Sequence, residues 1–458
     1  MLPSSMLLVK SEVPPNVVVV HCHDLGRFIG AYGVSTVRTP RLDALAREGV
    51  LFERAFATAP QCSPARSSLF TGRYPQSTGV LGITHEPFGW DMVDPGSHLA
   101  NRLRGLGYAT ELLGVHHESR VLSDDEVARR LGFDSVATGG LAPEVGERAR
   151  MAIARLASAD QPFYLQVGFV EPHRLQSRRD EPGVVGFLGD HIDPDATLGV
   201  TIPEYIEPTA ASADEIAELQ GAVAMLDEGI GVVLDAVDQA GIAEHTLVVF
   251  TTDHGLALPR AKCSLYEAGL EVALIIRVPW RAAWRERRVA DLVSHVDVVP
   301  TIIELIEAAP DSPDDRSLSS IVERGLPGEG HIFGQLTFHT YYDPKRSVRD
   351  ERFKLIVNFS NGQTAMDPTQ SWMRRSIPIG LDRGNMLNSA TVEFYDLDAD
   401  PLEQHNLVDD PGYRLRIEAM TCRLREWLTS VDDPILRGPV PAPRHAAALA
   451  AVASPSRL

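Results

Sequence analysis

At 458 residues the chain exceeds what one ordinary core organises, and it suffices for a large domain with a smaller companion. With 44% hydrophobic and 23% charged residues it reads as a folded protein, neither disordered nor fibrous. Its net charge of -19 excludes a general nucleic-acid binder, which needs a cationic surface, and obliges any site for an anion to supply its own cations.

The first residues, MLPSSMLLVKSEVPPN, hold an apolar run of only Met6 to Val9, too short for a secretory signal. No stretch approaches the roughly 18 to 20 apolar residues of a membrane span. These features predict a cytoplasmic protein without a membrane partner. Cys22, Cys62, Cys263 and Cys422 are spaced for neither a disulfide scaffold nor a zinc ribbon.

The run NVVVVH, Asn16 to His21, predicts a strand buried on both faces. Thr39 to Gly49, TPRLDALAREG, predicts a helix from its Thr-Pro start, helical apolar spacing and closing glycine. The alternation continues with ATELLG before His116, PFYLQVGF before Glu171, a helix from about Ala213 to Ala240, and HTLVVFTT before Asp253. Such a pattern predicts an α/β fold: a large, mostly parallel central sheet flanked by helices. Ligands in such sheets sit at the carboxyl ends of the strands. Four strand ends carry polar groups, His23-Asp24, His116-His117, Glu171-His173 and Asp253-His254, and they are expected to converge.

Beyond about residue 340 the elements shorten. RSVRDERFKLIVNF, a loop rich in Met and polar residues, VEFYDLDADPLEQHNL and a helix around TCRLREWLTSV predict a smaller α+β domain. The expected division is 14–340, 341–435 and a flexible Pro- and Ala-rich tail over 436–458. No internal repeat is present.

The sharpest feature is QCSPARSSLFTGR, Gln61 to Arg73. Ser63 suits a cap, Pro64 the first helical position and Gly72 a helix end, so a short helix is expected to begin right after Cys62. Free N–H groups, the helix dipole and Arg66 one turn in then favour negative charge at the sulfur. Read alone, the same pattern also suits a buried structural cysteine.

Cys-x-Pro-x-Arg followed by SLFTGR resembles the signature of the sulfatase family, whose fold is alkaline-phosphatase-like; Ala65 replaces the commoner serine. The resemblance implies that Cys62 is oxidised to formylglycine by a formylglycine-generating enzyme. A hydrated aldehyde offers one hydroxyl to attack sulfur and a second to expel sulfate, with a divalent metal offsetting charge.

The same resemblance implies that Asp24, Asp253 and His254, with residue 62 itself, hold the ion. Arg66, His117, His173 and Lys262 then serve catalysis, Lys262 and His173 at the sulfate. By their positions beside these residues, Arg174 and His116 are expected to contact substrate. His23 replaces the family's first aspartate and is read as a further metal ligand. Oxygen donors suit Ca²⁺, the ion the family implies, whereas imidazoles suit Mn²⁺ or Zn²⁺. In GVHH, Gly114 to His117, Val115 stands where the family has lysine, so one charge expected at the sulfate is missing unless His116 or an arginine supplies it. FVEPHR, SLYEAG and YDLDADPLEQHNL look most like the heparan N-sulfatase (sulfamidase) branch.

Hydrolysis of a sulfate ester or sulfamate, of a sulfated sugar in particular, is the leading expectation. Phosphonate monoester or phosphodiester hydrolysis on the same scaffold, and a non-catalytic anion-binding relative, are the alternatives. A homo-oligomer is compatible with the sequence.

Overall fold

Strand β1 (Asn16–Cys22) is buried along its whole length because its valines alternate between two apolar faces. Val18 and Val20 enter one core with Leu165 and Ile230, whereas Val17 and Val19 enter another with Leu69 and Ile302. The computed structural model describes residues 14–86, 88–120, 122–176, 185–187, 192–309, 316–328, 330–361, 376–379 and 389–453. The N-terminal stretch 1–13, most of the Met-rich loop (362–375 and 380–388) and residues 454–458 lie outside the described residues.

Parallel to β1 on its two sides run β5 (Phe163–Gly168) and β8 (Thr246–Thr252). Beyond β5 follow β3 (Ala109–Gly114) and β4 (Ser135–Thr138), also parallel. On the other side β10 (Leu274–Arg277) reverses direction against both β8 and β2 (Val50–Phe56). The edge strand β11 (Arg287–Ser294) is again parallel to β2, and the short β9 (Glu271–Val272) adds to β2. The nine-stranded sheet is therefore mixed but mostly parallel, with helices on both faces, as the alternating pattern predicts. A small ribbon, β6 (Arg174–Gln176) with β7 (Val185–Phe187), stands apart from it.

The helix expected over Thr39–Gly49 spans Pro40–Glu48 between those two flanking residues. Its second and third amides are capped from afar: the Asp227 carboxylate accepts from Arg41 N at 3.0 Å and Leu42 N at 2.8 Å. The long helix, Ala210–Gln239, starts three residues earlier than expected because Thr209 and Ser212 form a reciprocal capping box.

A second, antiparallel sheet comprises β12 (Ile332–Phe338), β13 (Tyr342–Arg349), β14 (Phe353–Asn358) and β15 (Val392–Asp396) in that order. Phe333, Leu355 and Phe394 on one face pack on Leu424 and Trp427 of the helix Arg414–Ser430. This sheet begins ahead of residue 340, because β12 pairs with β13 across the turn His339–Tyr341. The stretch expected as a flexible tail contains regular structure among its described residues. Pro434–Arg437 forms a 3-10 turn, Val440 is buried with Trp90 and Leu81, and Arg444–Ala453 is a helix. Alanine-rich composition, read as low complexity, is also the strongest helix former. Among the described residues no helix is long and apolar enough to cross a membrane.

Candidate active site

All four polar strand ends meet at the carboxyl edge of the central strands. The ends of β3 and β5 approach so closely that a Cβ on Gly114 would lie 2.0 Å from the Gly168 carbonyl oxygen, and one on Gly168 the same distance from that of Val115. Only glycine fits at either position, and this crossing brings His117 and His173 to one place. After β1 the chain turns at Asp24, whose φ of 48° is left-handed. Asp24 N donates to Asp253 Oδ1 at 2.9 Å, and Asp253 N donates to the Cys22 carbonyl at 3.2 Å, so the ends of β1 and β8 lock each other.

The helix Cys62–Thr71 points its N-terminus into this edge. Cys62 is itself the first helical residue, and Gln61 occupies the cap without a side-chain bond. Ser63 does not cap the helix as expected; its hydroxyl lies 3.1 Å from that of Thr84, which in turn donates to the His117 carbonyl at 3.1 Å. The sulfur of Cys62 stands 3.4 Å from His254 Nε2 and 4.0 Å from Asp24 Oδ1. Arg66 is fully buried and reaches Asp253 Oδ2, the Cys22 carbonyl and His21 Nδ1. Its charge therefore serves the Asp253 carboxylate directly.

Lys262 Nζ bridges both oxygens of Asp24 at 3.0 and 2.9 Å, and His173 Nε2 is 3.6 Å from Asp24 Oδ2. Burial alone would raise the Asp24 carboxyl, but Lys262 and His173 hold it well below the usual carboxylate range. Burial also opposes the Cys62 thiolate, yet Lys262, His254, His117 and His173 bring the thiol well below its ordinary range. Burial pushes His117 down to about 3, so it is a neutral ring at the sulfur. In His173 burial is outweighed by Asp24, and the imidazole is raised.

His254 contacts Gly255 O through Nδ1 at 2.9 Å, which leaves Nε2 facing Asp24 Oδ1 at 3.1 Å and the sulfur. An imidazole so oriented by a carbonyl is poised for a cation, proton or metal, between it and two anions. Against burial, Asp253 and Cys62 raise His254 to about 10. His23 Nδ1 lies 3.2 Å from Asp253 Oδ2, out of line for a hydrogen bond, and is otherwise a buried orphan. The ligand-type atoms of Asp24, Cys62, Asp253 and His254 lie within 4.8 Å of one another, and so do those of His23, Asp24, Cys62 and His173. The donor chemistry fits a divalent ion held by Asp24, Asp253 and His254 beside residue 62.

Two expected site residues turn elsewhere. Arg174 is buried against Glu215 Oε1 at 2.6 Å, donates to the Ala257 carbonyl at 3.1 Å and lies over the Phe187 ring. His116 is also buried and has Glu118, His98, Arg66 and Asp124 as its charged neighbours, the opposite side of the strand end from His117. Two participants escaped the sequence reading. His85 packs edge-on against His117 with ring centroids 4.3 Å apart. Glu118 accepts the His117 amide at 2.7 Å and Gln166 Nε2 at 2.9 Å, with His98 Nε2 at 3.5 Å, and so fixes the His117 backbone. Glu118 stood beside the GVHH motif as a legible signal, whereas nothing in the sequence marked His85.

The description Sulfatase belongs to the family model that matches residues 15–308, most of the chain and every polar strand end described above. The chain is a member of the sulfatase family. This sulfatase is 29% identical to the N-sulphoglucosamine sulphohydrolase of Homo sapiens over 469 aligned residues, covering 93% of this chain and 92% of that protein. It is 26% identical to an ulvan-active sulfatase of Formosa agariphila, covering 92% of this chain and 75% of that one. Its fold is similar to the solved structure of a 2-O GAG sulfatase, with a TM-score of 0.68 and 20% identity, covering 94% of this chain and 95% of that one.

Proposed function

We propose that this sulfatase hydrolyses a sulfate ester or sulfamate at residue 62, after oxidation of Cys62 to formylglycine by a formylglycine-generating enzyme. The observation that carries the reading is the seat of the Cys62 sulfur at a helix N-terminus, 3.4 Å from His254 Nε2 and 4.0 Å from Asp24 Oδ1. Similarity to N-sulphoglucosamine sulphohydrolase over nearly the whole of both chains supports a sulfated amino sugar as substrate. No feature of the site favours phosphorus chemistry over sulfur.

The chain's own groups supply most of the chemistry. Of the two hydroxyls on the hydrated aldehyde, one loses its proton to solvent and attacks sulfur as the bond to the leaving oxygen or nitrogen breaks. His173, partly exposed and raised by Asp24, donates the proton that the leaving group takes up. Neutral His117 is placed to accept the proton of the second hydroxyl, whose oxygen then expels sulfate and restores the aldehyde. Lys262 offers its charge to the sulfuryl oxygens while holding Asp24. Asp24, Asp253 and His254, with His23 against Asp253, would hold a divalent cation, which when bound acidifies a hydroxyl and offsets sulfuryl charge. Calcium is the ion that the family resemblance implies.

We also read the chain as a catalytic unit with a smaller companion built on the antiparallel sheet, divided ahead of β12. The decisive experiment pairs mass spectrometry of the Cys62 peptide, from cells that contain the converting enzyme, with assays on an aryl sulfate and N-sulfoglucosamine. Conversion with hydrolysis of either substrate is expected; an unmodified cysteine in active protein overturns the formylglycine route, and full conversion without hydrolysis overturns the activity.

A further inference from the structure

The two ligand sets around residue 62 differ in chemistry. The set Asp24, Cys62, Asp253 and His254 has two carboxylates and one imidazole, whereas the set His23, Asp24, Cys62 and His173 has one carboxylate and two imidazoles. The second set owes its nitrogen character to residue 23: with a carboxylate there, it would be oxygen-rich. His23 is 1% exposed, and its Nδ1 faces only Asp253 Oδ2, at 3.2 Å. Its ring lies between those of His117 and His173, each 5.1 Å away centroid to centroid.

We propose that, while Cys62 remains a thiol, His23, His173, Asp24 and Cys62 form a zinc site. Two imidazole nitrogens, one thiolate and one carboxylate oxygen are the donors of a closed tetrahedral zinc site, and they suit calcium poorly. Ligand atoms already within 4.8 Å of one another need little further approach to meet one ion. The four come from a strand end, a helix start and the loop after β5, all held by the contacts described above, so the site is assembled before the ion arrives. On binding, the thiol proton leaves to solvent as the zinc–sulfur bond forms, and the ion shares Asp24 with Lys262. Oxidation of Cys62 removes the sulfur donor and with it the site. On the functional reading above, zinc also occupies the place that the sulfuryl group needs, so the unconverted protein is a metal-binding form closed to substrate.

The test uses the full chain produced in cells lacking a converting enzyme, with cobalt and zinc as probes. One cobalt ion is expected to give a thiolate-to-cobalt charge-transfer band, and zinc to displace it. His23→Ala and His23→Asp are each expected to weaken zinc at least about tenfold, with His254→Ala affecting it far less. Cobalt bound without the charge-transfer band overturns the proposal, as does His254→Ala weakening zinc as much as the His23 variants. A measurement on the unaltered site guards against misfolded variants: in a Cys422→Ser background, zinc but not calcium is expected to slow alkylation of Cys62, read by mass spectrometry. An unchanged alkylation rate overturns the proposal equally. These readouts are metal binding alone, so failure of the hydrolase reading leaves them intact and is recognised separately by the activity assays.

Discussion

Lys262 Nζ lies 3.0 and 2.9 Å from the two carboxylate oxygens of Asp24, across 238 positions of sequence. Both side chains are sealed from solvent, and Lys262 leads the groups that hold the Asp24 carboxyl low. Replacing Lys262 by Met is expected to lower kcat/KM by about 10²- to 10³-fold, the usual loss when one preorganised charge is removed from a transition state. Circular dichroism on the same sample checks that the loss is not unfolding.

Val115 gives a prediction of the opposite sign. A lysine there restores the charge that the family pattern carries at the sulfate, and Val115→Lys is expected to raise kcat/KM on an aryl sulfate about tenfold, equivalent to ~1.4 kcal/mol of transition-state stabilisation. A rate at or below that of the parent chain rejects the idea that this position limits catalysis.

Arg174 separates packing from recognition. Because its guanidinium is held by Glu215, the Ala257 carbonyl and the Phe187 ring, Arg174→Met is expected to lower the thermal midpoint while leaving KM unchanged. A raised KM in a variant of unaltered stability restores a substrate role.

In the smaller sheet, Arg346 and Asp433 form a fully buried bidentate pair at 2.6 and 2.9 Å, with Gln76 also donating to Asp433. Removing one partner leaves an uncompensated buried charge, so Arg346→Met is expected to cost about 3–5 kcal/mol in urea unfolding. Adding Asp433→Leu to it should recover most of that loss, since an apolar pair needs no compensation.

Asp227 makes stability depend on pH. Burial raises its carboxyl from 3.8 to about 6, although the Arg41 and Leu42 amides favour the charged form. The folded state therefore holds the proton more tightly than the unfolded one. Its stabilising share is complete below the unfolded value of 3.8 and is lost as pH rises through about 6. Asp227→Asn abolishes that slope, so the difference in urea midpoint between parent and variant should change between pH 4 and 7 and stay flat above. A constant difference across the range contradicts the assignment.

The convergence of four strand ends was legible because parallel sheets present their carboxyl edges together, and β1, β3, β5 and β8 are adjacent members of one. Side-chain direction was less accessible. His116 and His117 are neighbours in sequence, yet a strand end sends them to opposite sides, and only the register decides which one meets Cys62. The surroundings of Arg174 were hidden for a related reason: its partner Glu215 lies on a helix that the sequence places but does not dock. Ser63 fits every preference of a cap, but the hydroxyl of Thr84 draws it away.

The segment leading into Cys62 is stitched to β12 twice, by Gln335 N on the Thr58 carbonyl at 2.9 Å and by Gln61 Nε2 on the Phe338 carbonyl at 2.7 Å. Shortening the chain to residues before β12 therefore strips the nucleophile's own approach of two supports and does not liberate a minimal enzyme. The companion sheet is better regarded as the far jaw of a vice, whose grip is felt one residue upstream of the reacting atom.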